Sequence, residues 1–273
     1  MKLTYLGTAA AEGFPAVFCN CEYCQRARIL GGKNIRTRSQ AMINDDLLID
    51  LPADTYYHFL ENKIEGDKIK YLFITHSHPD HLYSSELEMR CGAFAHNMRE
   101  EFLQLYCGKG AFEKINSTVG RPRGIAMNVL KAYQTVKVGD YQVTALPARH
   151  MQGDEALFYM IRSDKTILYA HDTGYFFDEV FAFIKENSIV FDMVSLDCTN
   201  VLLPIADNGS HMGLENIGRL LGRLEAIGAV TDKTIKYVNH FSHNANPQQH
   251  ILEAYAAKYG CCVSYDGCCV KIE

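Results

Sequence analysis

The chain has 273 residues, of which 48% are hydrophobic, enough to bury a substantial core as one large α/β domain or two small ones. A formal net charge of −5 makes nucleic acid an unexpected partner. No apolar run approaches the roughly 18–20 residues that a membrane span needs.

The N-terminal MKLTYLGTAAAEGFP lacks the apolar centre of an export signal and places Glu12 where one would continue. This predicts a cytoplasmic protein, in which ten cysteines act as ligands or core residues rather than disulfides. No repeat, low-complexity tract or Pro/Gly/Ser-rich linker interrupts the sequence, so a single domain over 1–273 is expected. The first strand, 2–8, leads into a loop carrying Cys19, Cys21 and Cys24. Strands at 41–44 and 47–51 follow, then a helix over 53–63 and a short apolar strand, IKYLFIT, at 69–75. Residues 82–131 mix helical and strand signals. Gly139-Asp140 joins two strands within 134–147 as a hairpin. The strands ALFYMIR, KTILYAH and VSLDCT come next. A helix at 213–228, a strand at 234–239, a helix at 247–258 and a closing hairpin around Asp266-Gly267 complete the pattern. Strands with interspersed helices fit two sheets between helices at least as well as one parallel sheet.

The strongest chemical signal is THSHPDH at 75–81, directly after the strand IKYLFIT. His76, His78 and His81 offer imidazoles and Asp80 a carboxylate, a mixture suited to zinc, manganese or iron that two adjacent ions can divide. Side chains alternate as a strand leaves its sheet, so His76 and His78 can grip one ion while Asp80 and His81 turn toward another. A separate set, Cys19, Cys21 and Cys24, has the crowding of a tetrahedral zinc site but lacks a fourth ligand nearby. The late segment TIKYVNHFSH offers two histidines, His240 and His243, for the positions still open.

HSHPDH resembles the HxHxDH signature of the metallo-β-lactamase fold. That resemblance implies an αβ/βα four-layer sandwich of two mostly antiparallel sheets flanked by helices, with the metals at one edge. It runs over essentially the whole chain. It implies that Asp50, closing LLIDL, orients ligands, that His150 in LPARH completes the first metal site, and that Asp172 in YAHDTG bridges both metals. The three-cysteine motif with its late histidine pair is similar to the PhnP-type branch, phosphodiesterases of cyclic phosphoribosyl compounds. By that match His240 binds the second metal, and His243 closes a structural Cys3His zinc site with Cys19, Cys21 and Cys24. His211, in NGSHMG, matches a histidine that protonates the leaving oxygen in that branch.

The expected protein is thus a metal-dependent hydrolase with two active-site divalent metals (manganese, zinc or iron) and one structural zinc. It would cleave a small cyclic phosphoribosyl or nucleotide phosphodiester, with His211 as acid and Asp80 orienting the attacking water. Arg38, Arg123 and Arg149 are candidates for holding a terminal phosphate, and a homodimer is an expected assembly. Two other readings stand beside this one. LGTAAAEGFP…CNCEYC also resembles PqqB-like proteins, which implies a metal-dependent oxygenase of cofactor biosynthesis, although the complete HxHxDH set favours hydrolysis. A thioester or lactone hydrolase of the same fold would use the same metals. The remaining cysteines, Cys91, Cys107, Cys198, Cys261, Cys262, Cys268 and Cys269, are expected in the core. His171 adjoins Asp172 on a strand and is expected to point away from it.

Overall fold

The computed structural model describes residues 1–151 and 155–273. The first sheet contains β1 (Lys2–Gly7), β2 (Gln40–Ile43), β3 (Leu47–Ile49), β4 (Tyr71–Ile74), β5 (Leu103–Cys107) and β6 (Ile125–Val129). The second contains β7 (Thr135–Val138), β8 (Tyr141–Pro147), β9 (Leu157–Arg162), β10 (Thr166–Ala170), β11 (Met193–Asp197), β12 (Ile235–Asn239) and β13 (Cys262–Val263). β14 (Cys269–Lys271) returns to the first sheet and pairs with β1. Each sheet has seven strands in order along the chain, apart from that return.

Most strands are nearly continuous apolar runs because both of their faces are covered. Tyr5, Ile49 and Phe73 from the first sheet meet Tyr159, Ile167 and Tyr169 from the second in one dry inter-sheet core. The outer face of the first sheet carries α2 (Thr55–Glu61) and α3 (Lys109–Val119); that of the second carries α4 (Asp178–Glu186), α5 (Leu214–Ala226) and α6 (Gln249–Ala256). In α5 the buried Leu214, Ile217, Leu220, Leu221 and Leu224 recur at the 3–4-residue spacing of a one-faced helix. The result is the expected four-layer sandwich. Phe73 sits at its centre, fully buried, 4.8 Å from the Tyr106 ring and 5.3 Å from that of Tyr159. Phe73→Ala is therefore expected to lower stability by about 3–5 kcal/mol, read as a lower denaturation midpoint at unchanged slope.

Three expectations need correction. The sheets are not mostly antiparallel: β3–β4, β4–β5 and β5–β6 run parallel, as do β10–β11, β11–β12 and β12–β13. The cause is the crossover helices, since α2, α3, α4, α5 and α6 each return the chain to start the next strand in the same direction. The closing hairpin is also absent. Asp266-Gly267 does turn the chain, but β13 joins β12 in one sheet while β14 joins β1 in the other. A hairpin would have left the edge of β1 unpaired. Lastly, Cys262 and Cys269 are exposed and Cys91 is half-buried, whereas Cys107, Cys198, Cys261 and Cys268 are buried as expected. Neighbours on an edge strand alternate between core and solvent.

Strand direction positions the site. β3, β4, β10, β11 and β12 all deliver their C-terminal ends to one edge of the sandwich. β8, two antiparallel steps from β10, ends there too. The residues that follow these ends are Asp50, 75–81, Asp172, the 197–199 turn, His240 and His150. No described helix is long and apolar enough to cross a membrane.

Candidate metal centre

Asp50 (φ 67°), Asp172 (φ 55°) and His240 (φ 65°) share a left-handed backbone. Non-glycine residues rarely adopt it, and it tends to persist where function requires it. Each bends the chain sharply off its strand so that the side chain turns back over the sheet edge. Gly174 serves the same end: a Cβ there would lie 1.8 Å from the Gly209 carbonyl oxygen, so only glycine lets the loop carrying His211 approach.

Three overlapping groups of side chains result, with ligand atoms within 4.8 Å of one another in each: His76, His78, His150 and Asp172; then Asp80, His81, Asp172 and His240; and, sharing two of those residues, Asp172, Asp197, His211 and His240. In the first, His78 Nδ1 lies 2.9 Å from His76 Nε2 and 3.0 Å from His150 Nε2. In the second, His81 Nε2 lies 3.3 Å from His240 Nε2, 2.9 Å from Asp172 Oδ2 and 3.4 Å from Asp80 Oδ2. Two imidazole nitrogens about 2.1 Å from one ion and at right angles to each other are about 3.0 Å apart, so the spacing fits a metal. Buried Asp172 Oδ1 makes no well-aligned hydrogen bond among the described residues, although His211 Nδ1 and His150 Nδ1 lie 3.2 and 3.3 Å from it, which leaves it able to take a cation. The first two groups therefore fit divalent ions, and Asp172 belongs to both.

The supporting shell fixes which nitrogen each histidine presents. Asp50 Oδ2 accepts from His81 Nδ1 at 2.7 Å, while Asp50 Oδ1 accepts from the Thr75 backbone N–H at 2.8 Å. His81 Nε2 is thereby the nitrogen aimed at the cluster. Thr199 Oγ1, 2.8 Å from His240 Nδ1, does the same for His240. Burial disfavours charge on His81, but Asp50 and Asp80 outweigh it and raise the ring above its ordinary value, so a cation bound there would have to displace the Nε2 proton. Burial holds His150 down at about 4, so it stays neutral, the form that ligates. Asp80 is buried too, but His81 outweighs the burial and keeps its carboxyl below the usual range.

Asp197 and Thr199 had not been expected here. Fully buried at the end of β11, Asp197 accepts backbone N–H groups from Asp172 and Met212 at 3.1 and 2.9 Å, and the Thr199 hydroxyl at 3.0 Å. The same carboxylate lies 3.3 Å from His211 Nδ1. His211 Nδ1 is also 3.2 Å from Asp172 Oδ1, which places the ring directly over the shared carboxylate. Burial disfavours its charge, but Asp197 and then Asp172 prevail and raise the imidazole to about 9. A signal was present in the sequence: VSLD is an apolar strand closing on an aspartate, like LLID and LYAHD. His171 does turn the other way, buried against Ser195 Oγ at 2.7 Å and Asn239.

The second predicted cluster also assembles. Cys19, Cys21, Cys24 and His243 come together, with His243 Nδ1 at 3.9 Å from Cys21 Sγ and 3.6 Å from Cys24 Sγ. A tetrahedral zinc with ordinary Zn–S and Zn–N bonds sets that separation at about 3.6 Å. Burial raises Cys24 to about 11; Cys21 falls to about 6 because the Cys24 N–H and His243 outweigh its slight burial. Adjacent thiols pulled apart in this way cannot all ionise together without a cation. Cys24 and Ala27 on α1 (Glu22–Leu30) pack with Phe14 and Ala16 to hold the motif.

The three arginines expected to hold a terminal phosphate do not line the cavity over the metal groups. Arg38 donates to the Ala11 carbonyl at 2.9 Å and pairs with Asp54 at 3.0 Å. Arg149 lies on the Phe177 ring, 4.1 Å from its centroid, and donates to the Tyr175 carbonyl. Arg123 sits beside Cys91.

Comparison with known proteins agrees with this geometry. Across full length the structure is similar to a diphosphatase from the PhnP family, with 19% identity, TM-score 0.75, and 100% of this chain and 98% of that one covered. It is similar to Zn(2+)-bound PqqB from Methylobacterium extorquens at 18% identity and TM-score 0.74, covering 99% and 100%. Human tRNase Z, short form, aligns at 15% identity and TM-score 0.65, covering 100% of both chains. No curated protein sequence matches the chain. The family model for the beta-lactamase superfamily domain matches residues 49–240, a span that runs from the strand bearing Asp50 to His240 itself. The chain therefore belongs to the beta-lactamase superfamily.

Proposed function

We propose that the protein is a binuclear metallohydrolase that cleaves a small phosphodiester. The observation that carries this reading is His211, paired with Asp197 and placed over Asp172 where the two ligand groups meet. A thioester hydrolase needs no strongly basic imidazole there, because its thiolate leaves unprotonated. An alkoxide leaving from phosphorus does need a proton, and Asp197, paired with His211 Nδ1, favours the protonated imidazole that would give one. A lactone also expels an alkoxide, so His211 separates diester cleavage from thioester hydrolysis and the diester assay separates it from lactone hydrolysis. His76, His78 and His150 would hold one ion and Asp80, His81 and His240 the other, with Asp172 shared. Divalent ions there acidify water toward neutrality and neutralise charge on phosphoryl oxygens. Asp80 would help hold the second ion and could orient the attacking water. Asp50 and Thr199 keep His81 and His240 in the ligating tautomer, and Asp197 orients His211 and sustains its charge. The Cys3His group, loaded with zinc, would fasten the loop that carries His240. The backbone is as similar to PqqB as to the PhnP-family diphosphatase, so the complete ligand set and His211 favour hydrolysis over oxygenation.

Phosphorus NMR of manganese-loaded protein with ribose 1,2-cyclic phosphate, 2′,3′-cyclic nucleotides and a linear dinucleotide tests this proposal. His211→Ala is expected to lose about 10²–10⁴-fold on diesters with alkoxide leaving groups and far less on bis(p-nitrophenyl) phosphate, whose phenolate leaves unprotonated. No turnover of any diester, with metals bound, would refute the proposal and direct attention to oxygen consumption.

A pH prediction follows from Asp197. The acid form of His211 exists below its pKa and disappears above it, so kcat/KM should fall on the alkaline side. Asp197→Asn keeps the shape but removes the charge that raises the imidazole. The alkaline limb should move to lower pH by about one to two units. An unmoved limb would show that another group supplies the proton.

A further inference from the structure

The cavity over the metal groups has a volume of about 340 Å3, and no lysine or arginine among the described residues lines it. Beyond the ligands and His211, its polar lining is Glu12, Thr199, Asn200, Ser242 and Asn244. Glu12 is held in place rather than loosely exposed: its Oε1 accepts from Ser242 Oγ at 2.6 Å and from the His243 backbone N–H at 3.1 Å. Both bonds use one oxygen, which leaves Oε2 for the cavity. The Glu12 side chain is 28% exposed, open enough to meet a ligand. Beside it, Asn200 and Asn244 carry amides that both donate and accept.

Such a lining is ill suited to a second phosphate. A second phosphate placed beside Glu12, away from the metal groups and His211, would meet the fixed Glu12 carboxylate with no described lysine or arginine lining the cavity to offset it, and like charges at close range repel strongly away from bulk water. Sugar and glycerol hydroxyls would fit it. A carboxylate accepting an O–H makes one of the shorter and stronger neutral-to-ion hydrogen bonds, and side-chain amides complete a polyol's mixed donors and acceptors. We propose that the non-reacting part of the substrate is a neutral polyol with free hydroxyls, and that Glu12 selects it by accepting a hydroxyl and repelling a terminal phosphate. This proposal rests on the phosphodiester reading above and specifies which diester.

The test compares kcat/KM for ribose 1,2-cyclic phosphate with its 5-hydroxyl free and for the same diester carrying a 5-phosphate, in wild type and in Glu12→Gln. Glutamine retains a carbonyl oxygen for Ser242 and His243 but removes the charge. Bis(p-nitrophenyl) phosphate, which has no hydroxyl and no second phosphate, reports on diester cleavage alone. Calorimetric binding of ribose and of ribose 5-phosphate adds a readout independent of turnover. Zinc content confirms that the Cys3His group survives the substitution. Wild type is expected to favour the free hydroxyl at least about tenfold, and Glu12→Gln to erode that preference about tenfold, mainly through gain on the phosphorylated diester. Glu12→Gln should tighten ribose 5-phosphate relative to ribose. A wild-type preference for the 5-phosphate, or a ratio unmoved in Glu12→Gln, overturns the role of Glu12 and leaves diester cleavage standing. Failure on all three diesters removes the phosphodiester reading and this inference together.

Discussion

Replacing Asp172 by alanine is expected to abolish turnover, with a loss on the order of 10⁴-fold or more, and to reduce metal content at both active-site positions. Asp172 is the only residue common to the two ligand groups. Its Oδ2 lies 3.2 Å from His76 Nε2, 2.9 Å from His81 Nε2 and 3.6 Å from His240 Nε2, while Oδ1 lies near His150 and His211. Without that carboxylate, five imidazoles face one another with Asp80 the one carboxylate left in the two groups, and any cation brought to the first group loses its negative partner. By contrast, Asp80→Ala removes a ligand from the second group alone and should spare the first ion. Elemental analysis of the two variants beside wild type checks the distinction. Equal metal content in wild type and Asp172→Ala would show that the shared position is not a ligand.

The second large effect is expected at Cys24. Cys24→Ser should cost one equivalent of zinc and lower the melting temperature by about 10 °C. The tether joins residues 219 positions apart, and closing a loop of that length is worth about 5 kcal/mol by chain entropy. In a chain of this size each kcal/mol corresponds to roughly 2–4 °C. Activity should fall as well, although Cys24 touches no active-site ligand. His243 follows His240 by three residues, and Phe241 between them is fully buried, with its backbone paired to the β1 end through Thr8 and Ala10. Loosening the tether would allow His240 to drift from its group. A melting temperature and zinc content equal to wild type would show that the cysteines do not hold a metal.

Much of this site was legible in the sequence because its ligands are local to strand ends. An apolar strand that stops on a polar residue marks a place where the chain leaves the sheet, and Asp50, His76, Asp172 and His240 all sit at such stops. The three-cysteine loop was legible for another reason, since three thiols within six residues have the crowding of a tetrahedral zinc site. Asp197 lies at the same kind of stop. No histidine or second carboxylate adjoins VSLDCT to mark that aspartate as chemical. Glu12 was visible only as an interruption of an apolar N-terminus.

Strand order and long-range contact decided what remained. The final DG turn is a local signal that favours a hairpin, but the unpaired edges of β1 and β12 lie on different sheets, and pairing both is worth more than one short hairpin. The parallel half of each sheet follows from helices that sequence periodicity places without saying which strands they connect. Arg38 and Arg149 are charged residues near ligands in the sequence, yet Asp54 and the Phe177 ring draw their guanidinium groups out of the cavity. The pairing of His211 with Asp197, and of Glu12 with the His243 backbone, joins residues 14 and 231 positions apart. The sequence by itself determined which side chains can bind metal and in what order, because that depends on residue type and on short-range strand geometry. Which of them share a carboxylate, which histidine pairs with Asp197 and what lines the cavity were decided only when parallel strands brought their C-terminal ends to one edge.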